Sequence, residues 1–357
     1  MILFSKFNLG PIELKNRLVM APMTRSRAIG NVPNEIMVKY YELRADAGLI
    51  ITEGTAPSIN GLGYPRIPGI YSDAQIEGWA QVTKAVHKKG GKIFLQIMHT
   101  GRISHPDNMA EGAKVLAPSA IKAAGEMYTD AKGLQTHPVP KEMTTADIEQ
   151  TQQEFVQAAR NAIKAGFDGV ELHGANGYLI DQFINSGSNI RTDRYGGSIE
   201  NRSRFAIETA AKVASAIGAE RTSIRLSPYG VYNDMVIFED VEQTYEYLAL
   251  ELGKLKLAYI HIVDHSSQGA PAVPDSIKSK IRNVFGRTII ASGGLNKEKA
   301  EQILELNKAE LTAFGQLFLS NPDLVHRLKN NLELNTTDYS TLFTPGEKGY
   351  LDYPLSK

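Results

Sequence analysis

Eight short apolar runs, each followed by a segment of helical character, recur along the chain and limit its fold more than any other feature. The runs cover residues 17–22, 49–52, 93–97, 167–172, 223–227, 259–263, 288–292 and 311–314. Between them the pattern predicts helices over 34–47, from Asp73 as cap to Gly90-Gly91, and from the capping box Thr144…Asp147 to Gly166. Further helices fit at 198–217, 239–253, 274–283, 296–307 and 321–330. Ile148, Phe155, Ala159 and Ile163 mark the buried face of the third helix. At 357 residues the chain is long enough for two average domains or one large barrel. Eight alternating β and α units with no break in composition argue for the second: a single (β/α)8 TIM barrel spanning 1–357. A doubly wound sheet is the alternative, but the first strand–helix junction lacks the G-x-G-x-x-G phosphate turn. Residues 4–14, around Gly10-Pro11, read as an N-terminal hairpin closing one end. Residues 99–142, after the third strand, read as a long capping insertion.

A barrel of this kind carries its chemistry at the C-terminal ends of its strands. The fourth run ends in His173, and Asn176 and Tyr178 follow within five residues. Gly174 and Gly177 let the backbone turn sharply between them. These three side chains can polarise a carbonyl or nitro oxygen and deliver a proton. The same stretch also reads as a buried His and Tyr satisfied by local hydrogen bonds. The other strand ends decide between the two: Pro22-Met23-Thr24, Gly54, Gln96, Arg225, Ser292-Gly293-Gly294 and Phe314-Gly315-Gln316. Gly293-Gly294, before a helix and after strand seven, suits a phosphate, while Thr24, Gln96 and Arg225 supply a hydrogen-bonding wall. Six strand ends with compatible chemistry favour a functional pocket.

Composition narrows the partners. Lys+Arg and Asp+Glu each number 39, which points to neither nucleic acid nor an anionic membrane surface. The absence of cysteine excludes disulfides, thiolate metal sites and thiol nucleophiles. The start MILFSKFNLG is too short in apolar residues for a secretory core, and no apolar run approaches the roughly 18 residues of a membrane span. A soluble, cytoplasmic protein, monomer or homo-oligomer, is the expectation. His261 and His265 are four apart, but on or beyond a strand that spacing does not converge on a metal, and none is expected.

Longer motifs carry a resemblance. NRLVMAPMTRSR (16–27), FLQIMHTGRISH (94–105), LAPSAI (116–121), GVELHGANGYLIDQFINSGSNIRTDRYGGSIENRSRF (169–205), FGQLFLSNPDL (314–324) and GEKGYLDYP (346–354) resemble the old yellow enzyme family of FMN-dependent ene reductases over nearly the whole chain. The resemblance implies non-covalent FMN, NADPH or NADH as hydride donor, and small electron-poor alkenes as substrates. It implies that Thr24 bonds the flavin O4, Gln96 the pyrimidine edge, and Arg225 the N1–O2 side, where a cation stabilises reduced flavin. His173 and Asn176 match the pair that grips the substrate oxygen, and Tyr178 the proton donor. Tyr64 and Tyr350 match aromatics at the substrate mouth. Thr24 places the chain with the threonine-type branch rather than the cysteine-type. Two departures stand out: Met98 where the channel has a Trp or similar aromatic, and Gln316 where an arginine holds the flavin phosphate. The second predicts weaker, more salt-sensitive FMN retention. Two rivals remain: a metal-free barrel enzyme acting on phosphorylated metabolites, which needs a lysine or carboxylate base that the strand ends do not supply, Glu53 being the nearest candidate and Asp264 the next, and a flavin-poor binding protein supported only by Gln316.

Overall fold

Strands of a parallel sheet are buried on both faces, which is why the eight runs are apolar almost throughout. The computed structural model, which describes residues 1–356, closes them into a cylinder. The chain opens with the antiparallel hairpin β1 (Phe7–Leu9) and β2 (Ile12–Leu14). Then come β3 (Leu18–Met20), α1 (Glu35–Glu42), β4 (Leu49–Ile51), α2 (Asp73–Lys88) and β5 (Ile93–Ile97). The long connection that follows is built, not loose. It carries β6 (Leu116–Ala117), the hairpin β7 (Glu126–Thr129) and β8 (Gly133–Thr136), and β9 (Lys141–Glu142), before α3 (Thr145–Lys164). Next, β10 (Gly169–Gly174) leads into short α4 (Leu179–Ile184) and long α5 (Ile199–Ile217). The remaining units are β11 (Thr222–Leu226) with α6 (Val241–Lys254), β12 (Tyr259–Val263) with α7 (Asp275–Phe285), and β13 (Thr288–Ser292) with α8 (Lys297–Glu305). Last, β14 (Leu311–Phe314) is followed by α9 (Gln316–Ser320) and α10 (Leu324–Asn330), and pairs with β3 to close the barrel.

The barrel interior is apolar at one end and polar at the other. Val19, Leu49, Phe94, Tyr259, Ile290 and Leu311 fill the N-terminal end, and Leu9 and Leu14 of the first hairpin pack against them as a plug. Higher up, register sets Glu171 opposite Gln96, and Arg225 opposite both His173 and His261. Because side chains alternate along a strand, Glu171 and His173 share one face. Outside, Trp79, Phe155, Phe205 and Leu248 belong to the larger core beneath the helices.

Three local expectations change. The cap of α2 is Ser72, not Asp73: its hydroxyl accepts from the Gln75 N–H, and the Gln75 side chain returns the bond. Helix α1 stops at Glu42, short of Gly48, where the chain turns so that buried Arg44 donates to the carbonyls of Phe318 and Leu319. Ile163 is only half-buried. The capping box at Thr144 and the cap at Ser198 form as read. Among the described residues no helix is long and apolar enough to cross a membrane.

Candidate active site

After β10 the chain bends through Asn176 (φ 60°) and Gly177 (φ 75°), left-handed conformations that Asn and Gly tolerate best. Helix α4 holds the bend from behind. The Asp181 Oδ2 accepts from the Gly177 N–H at 2.9 Å, and the Gln182 Nε2 donates to the Gly177 carbonyl at 2.7 Å. Burial raises the Asp181 carboxyl to about 6. Tyr178 emerges as the residue capping α4, its ring edge-on to His173 with centroids 4.7 Å apart, and its hydroxyl donates to the Tyr64 hydroxyl at 3.1 Å. Burial pushes the Tyr178 phenol up. It holds the His173 imidazole well below its ordinary range, with Arg225 the next cause. At neutral pH the phenol therefore keeps its proton, and the imidazole is uncharged.

Beneath these residues the barrel interior carries one connected set of polar groups. The Glu171 Oε1 accepts from Gln96 Nε2 at 2.8 Å, and its Oε2 lies 2.9 Å from His261 Nδ1. The other nitrogen of His261 lies 3.0 Å from the Ser292 hydroxyl. Arg225 stands beside this set but outside it. Its guanidinium donates no hydrogen bond to any described residue, and its Nε is sealed from solvent without a partner. Burial lowers its pKa and Glu171 opposes that shift. His173 Nδ1 is likewise sealed and unpartnered. Arginine is rarely buried without partners, because desolvating a cation costs several kcal/mol. Arg225 is built to meet a polar or anionic group that the chain itself does not supply.

That group has a place. Arg225 lines a cleft of about 380 Å³ together with Pro22, Ser292, Gly293, Gly294, Phe314 and Gly315. The cleft opens into a larger cavity of about 1000 Å³, lined by Thr24, Tyr64 and Tyr178 among others. Met23, Asn176, Gln268 and Gln316 line both, so the two spaces meet there. Gly54, Gln96 and His173 stand outside both linings: Gln96 is engaged by Glu171, and Gly54 packs so closely on Met98 that a Cβ would strike its sulfur. At the far end of the cleft, Gly293 (φ 131°) and Gly294 (φ 57°) turn the chain just before α8. A side chain at Gly293 would run into the Asp264 carbonyl. No lysine or arginine lines this glycine end. Asp264 does, paired to Lys278 at 2.8 Å, and Gln316 accepts from the Tyr339 hydroxyl at 3.5 Å.

The mouth corrects two expectations. Tyr350 does not reach the substrate cavity. It is fully buried, stacked on Tyr40 with centroids 4.0 Å apart, and lies beside Arg25 and Arg27. Those two arginines donate to the carbonyls of Gly349, Leu342 and Thr341, so the motif around Tyr350 is an anchor for the C-terminal segment. The aromatics that the segment delivers to the cavity are Tyr339 and Phe343, which sequence reasoning missed. Met98 is also buried, within a cluster holding Ala56, Ile103, Met127 and Tyr178, and so forms packing rather than channel wall. The hairpin β7–β8 supplies Met127, Tyr128 and Leu134 to the lining. Arg66 ties the rim together by donating to the carbonyls of Ser26 and Phe343 and pairing with Asp130. The two histidines four apart serve different partners, His261 facing Glu171 and Ser292, and His265 facing Asn176.

Residues 2–335 match the NADH:flavin oxidoreductase / NADH oxidase family. The chain belongs to that family. This flavin oxidoreductase is similar to flavin oxidoreductase hxnT of Emericella nidulans, 40% identical over 99% of this chain and 98% of that protein. It is also similar to 12-oxophytodienoate reductase 7 of Oryza sativa subsp. japonica, 39% identical over 99% and 94% of the two chains. Among solved structures, morphinone reductase matches with a TM-score of 0.95 at 41% identity, covering 99% of this chain and 96% of that one. The old yellow enzyme homologue from Zymomonas mobilis matches at 0.94 and 40%, covering 99% of each. The (β/α)8 barrel and the old yellow enzyme affiliation follow together.

The family implies a flavin cofactor, and the residues present fit FMN. An unpartnered buried guanidinium suits the electron-rich edge of a flavin, and the backbone at Gly293, Gly294 and Gly315 suits a phosphate. The fit is uneven, because the phosphate end offers backbone and no cation.

Proposed function

We propose that the chain is an FMN-dependent ene reductase of the threonine-type branch, holding FMN non-covalently along the cleft and reducing activated C=C bonds in the larger cavity. The observation that carries this reading is the free Arg225 guanidinium, buried one strand from His173 and facing a cleft that opens beneath Asn176 and Tyr178. When bound, the flavin supplies hydride chemistry, drawing on NADPH or NADH and serving the β-carbon of an electron-poor alkene. Arg225 would hold the ring and supply the positive charge that stabilises reduced flavin, with Gln96 and Thr24 as the further polar side chains that would hold it. Pro22, Met23, Ser292 and Phe314 shape the walls, with Gly54 behind them against Met98, and Gly293, Gly294, Gly315 and Gln316 would meet the phosphate.

Substrate enters the larger cavity with its carbonyl or nitro oxygen toward His173 and Asn176. Neutral imidazole and amide N–H groups draw electron density out of the conjugated bond. Tyr178 donates the phenolic proton to the α-carbon, and burial keeps that proton in place until it is needed. Tyr64, bonded to Tyr178, is placed to restore it. Nicotinamide and alkene share one cavity, so the reaction runs ping-pong. Residues 99–142 act as the cap, with the β7–β8 hairpin as its inner surface. Enones, enals, maleimides and nitroalkenes are the substrate classes.

The test is an absorbance spectrum of the purified protein, near 450 nm for oxidised flavin, followed by anaerobic NADPH or NADH and then 2-cyclohexenone. Bleaching by the nicotinamide and recovery with the enone are expected. A colourless protein that FMN fails to reconstitute overturns the reading.

A further inference from the structure

An amide that must donate to a substrate oxygen carries its own acceptor beside the donor, and rotation by half a turn exchanges them. In Asn176 that choice is constrained on every side. Its backbone N–H donates to the Ser227 hydroxyl at 2.9 Å, and its carbonyl accepts from Asn233 Nδ2 at 2.7 Å. Its Oδ1 lies 2.8 Å from His265 Nε2, while its Nδ2 bonds to no described residue in a side chain that lines both cavities. His265 is itself set in place. It sits in the loop after β12, half-buried, with the Tyr232 ring 4.3 Å away centroid to centroid, and Tyr232 is in turn bonded to Gln268 at 2.6 Å.

We infer that His265 is a positioning residue for the alkene half-reaction: it occupies the Asn176 acceptor, so that only the amide donor faces the substrate oxygen. This inference rests on the reading of Asn176 proposed above. The imidazole must present Nε2–H to do this, and a neutral ring in that tautomer does so without bringing a second cation near Arg225. Burial, with Arg225 as the next cause and Asp264 opposing, holds His265 down to about 4, so the ring is neutral across the working range. Loss of His265 leaves the amide free to turn its oxygen toward the substrate carbonyl, which repels it.

The experiment is a double-mutant cycle on the FMN-loaded enzyme with His265→Ala, Asn176→Ala and the double variant, plus His265→Gln, whose amide N–H can replace Nε2–H. Two quantities are read: the rate at which 2-cyclohexenone reoxidises reduced enzyme, and the Kd of cyclohexanone from the shift in flavin absorbance. Cyclohexanone keeps the oxygen and lacks the double bond, so its affinity reports the oxygen grip without turnover. His265→Ala is expected to weaken both by about tenfold, the scale of one well-placed hydrogen bond. His265→Gln is expected to recover most of that loss, and the double variant to be no worse than Asn176→Ala alone. Nitrogen-15 shifts of the His265 ring in the flavin-free protein are expected to report protonated Nε2. Losses that add in the double variant, or a glutamine that restores nothing, overturn the inference. Wild-type protein without enone turnover would instead overturn the reading it rests on.

Discussion

At its deep end the cleft is lined by Arg225, free of partners, and by Ser292, behind which His261, Glu171 and Gln96 continue one chain of buried bonds. At its glycine end it presents backbone, with Gly293, Gly294 and Gly315 and an uncharged Gln316. One end can tune the electronics of a bound ring; the other offers a phosphate only N–H groups and space. The difference teaches that holding a cofactor and adjusting it are separable tasks, here solved with very different densities of charge. On the proposed reading such an enzyme has a well-determined reaction centre and a lightly held cofactor tail.

The comparison can be broken at either end. The largest effect is expected from Tyr178→Phe, which removes the phenolic proton from the larger cavity into which the cleft opens. Reoxidation by 2-cyclohexenone slows by about 10²-fold or more, while flavin reduction by the nicotinamide stays within about twofold. Stopped-flow traces of the two half-reactions check this, and equal losses in both would remove Tyr178 as donor.

The next effect concerns Glu53, just past β4. Its carboxyl accepts from Tyr41 and the Arg25 N–H, and burial raises it to about 7 from 4.5. The folded protein therefore takes up a proton that the unfolded chain lacks between those values. The associated stability is complete below 4.5 and is lost as pH rises through 7. In Glu53→Gln that dependence vanishes. Urea unfolding at pH 5 and pH 8 is expected to shift relative stability toward the variant by about 1–3 kcal/mol on raising pH; a constant offset would count against it.

The smallest effect tests the light end. Gln316→Arg is expected to tighten FMN by about tenfold and to make binding less sensitive to salt. Dialysis against rising salt, with released FMN followed by fluorescence, measures both, and an unchanged Kd would show that backbone alone suffices there.

The barrel strands were legible because each buried run is apolar and sits at the right distance from the next helix. The short helices α4 and α9 were not, since six and five residues leave no periodicity to read. Strand-end residues could be found by position alone, but their partners could not. The bond from Gln96 to Glu171 joins residues 75 apart in the chain, and only register brings them together. Tyr350 misled because a tyrosine in a motif looks the same whether it lines a cavity or stacks on Tyr40. Phe343 was passed over because the lone Leu342-Phe343 pair among Thr, Pro and Gly carries no periodicity to mark it, and its position depends on what Arg25 and Arg27 do to the segment that carries it. His265 was dismissed as a metal ligand, and its contact with Asn176 was invisible from spacing.

The hairpin plug under the barrel has a consequence for traffic. With Leu9 and Leu14 seated against the lower ring of side chains, the structure is a cup and not a tube. Whatever reaches Tyr178 arrives over the rim that Arg66 binds together, and must leave by the same way before the next molecule can enter. On the proposed reading departure and arrival share one doorway, so the spent donor blocks the acceptor for as long as it lingers.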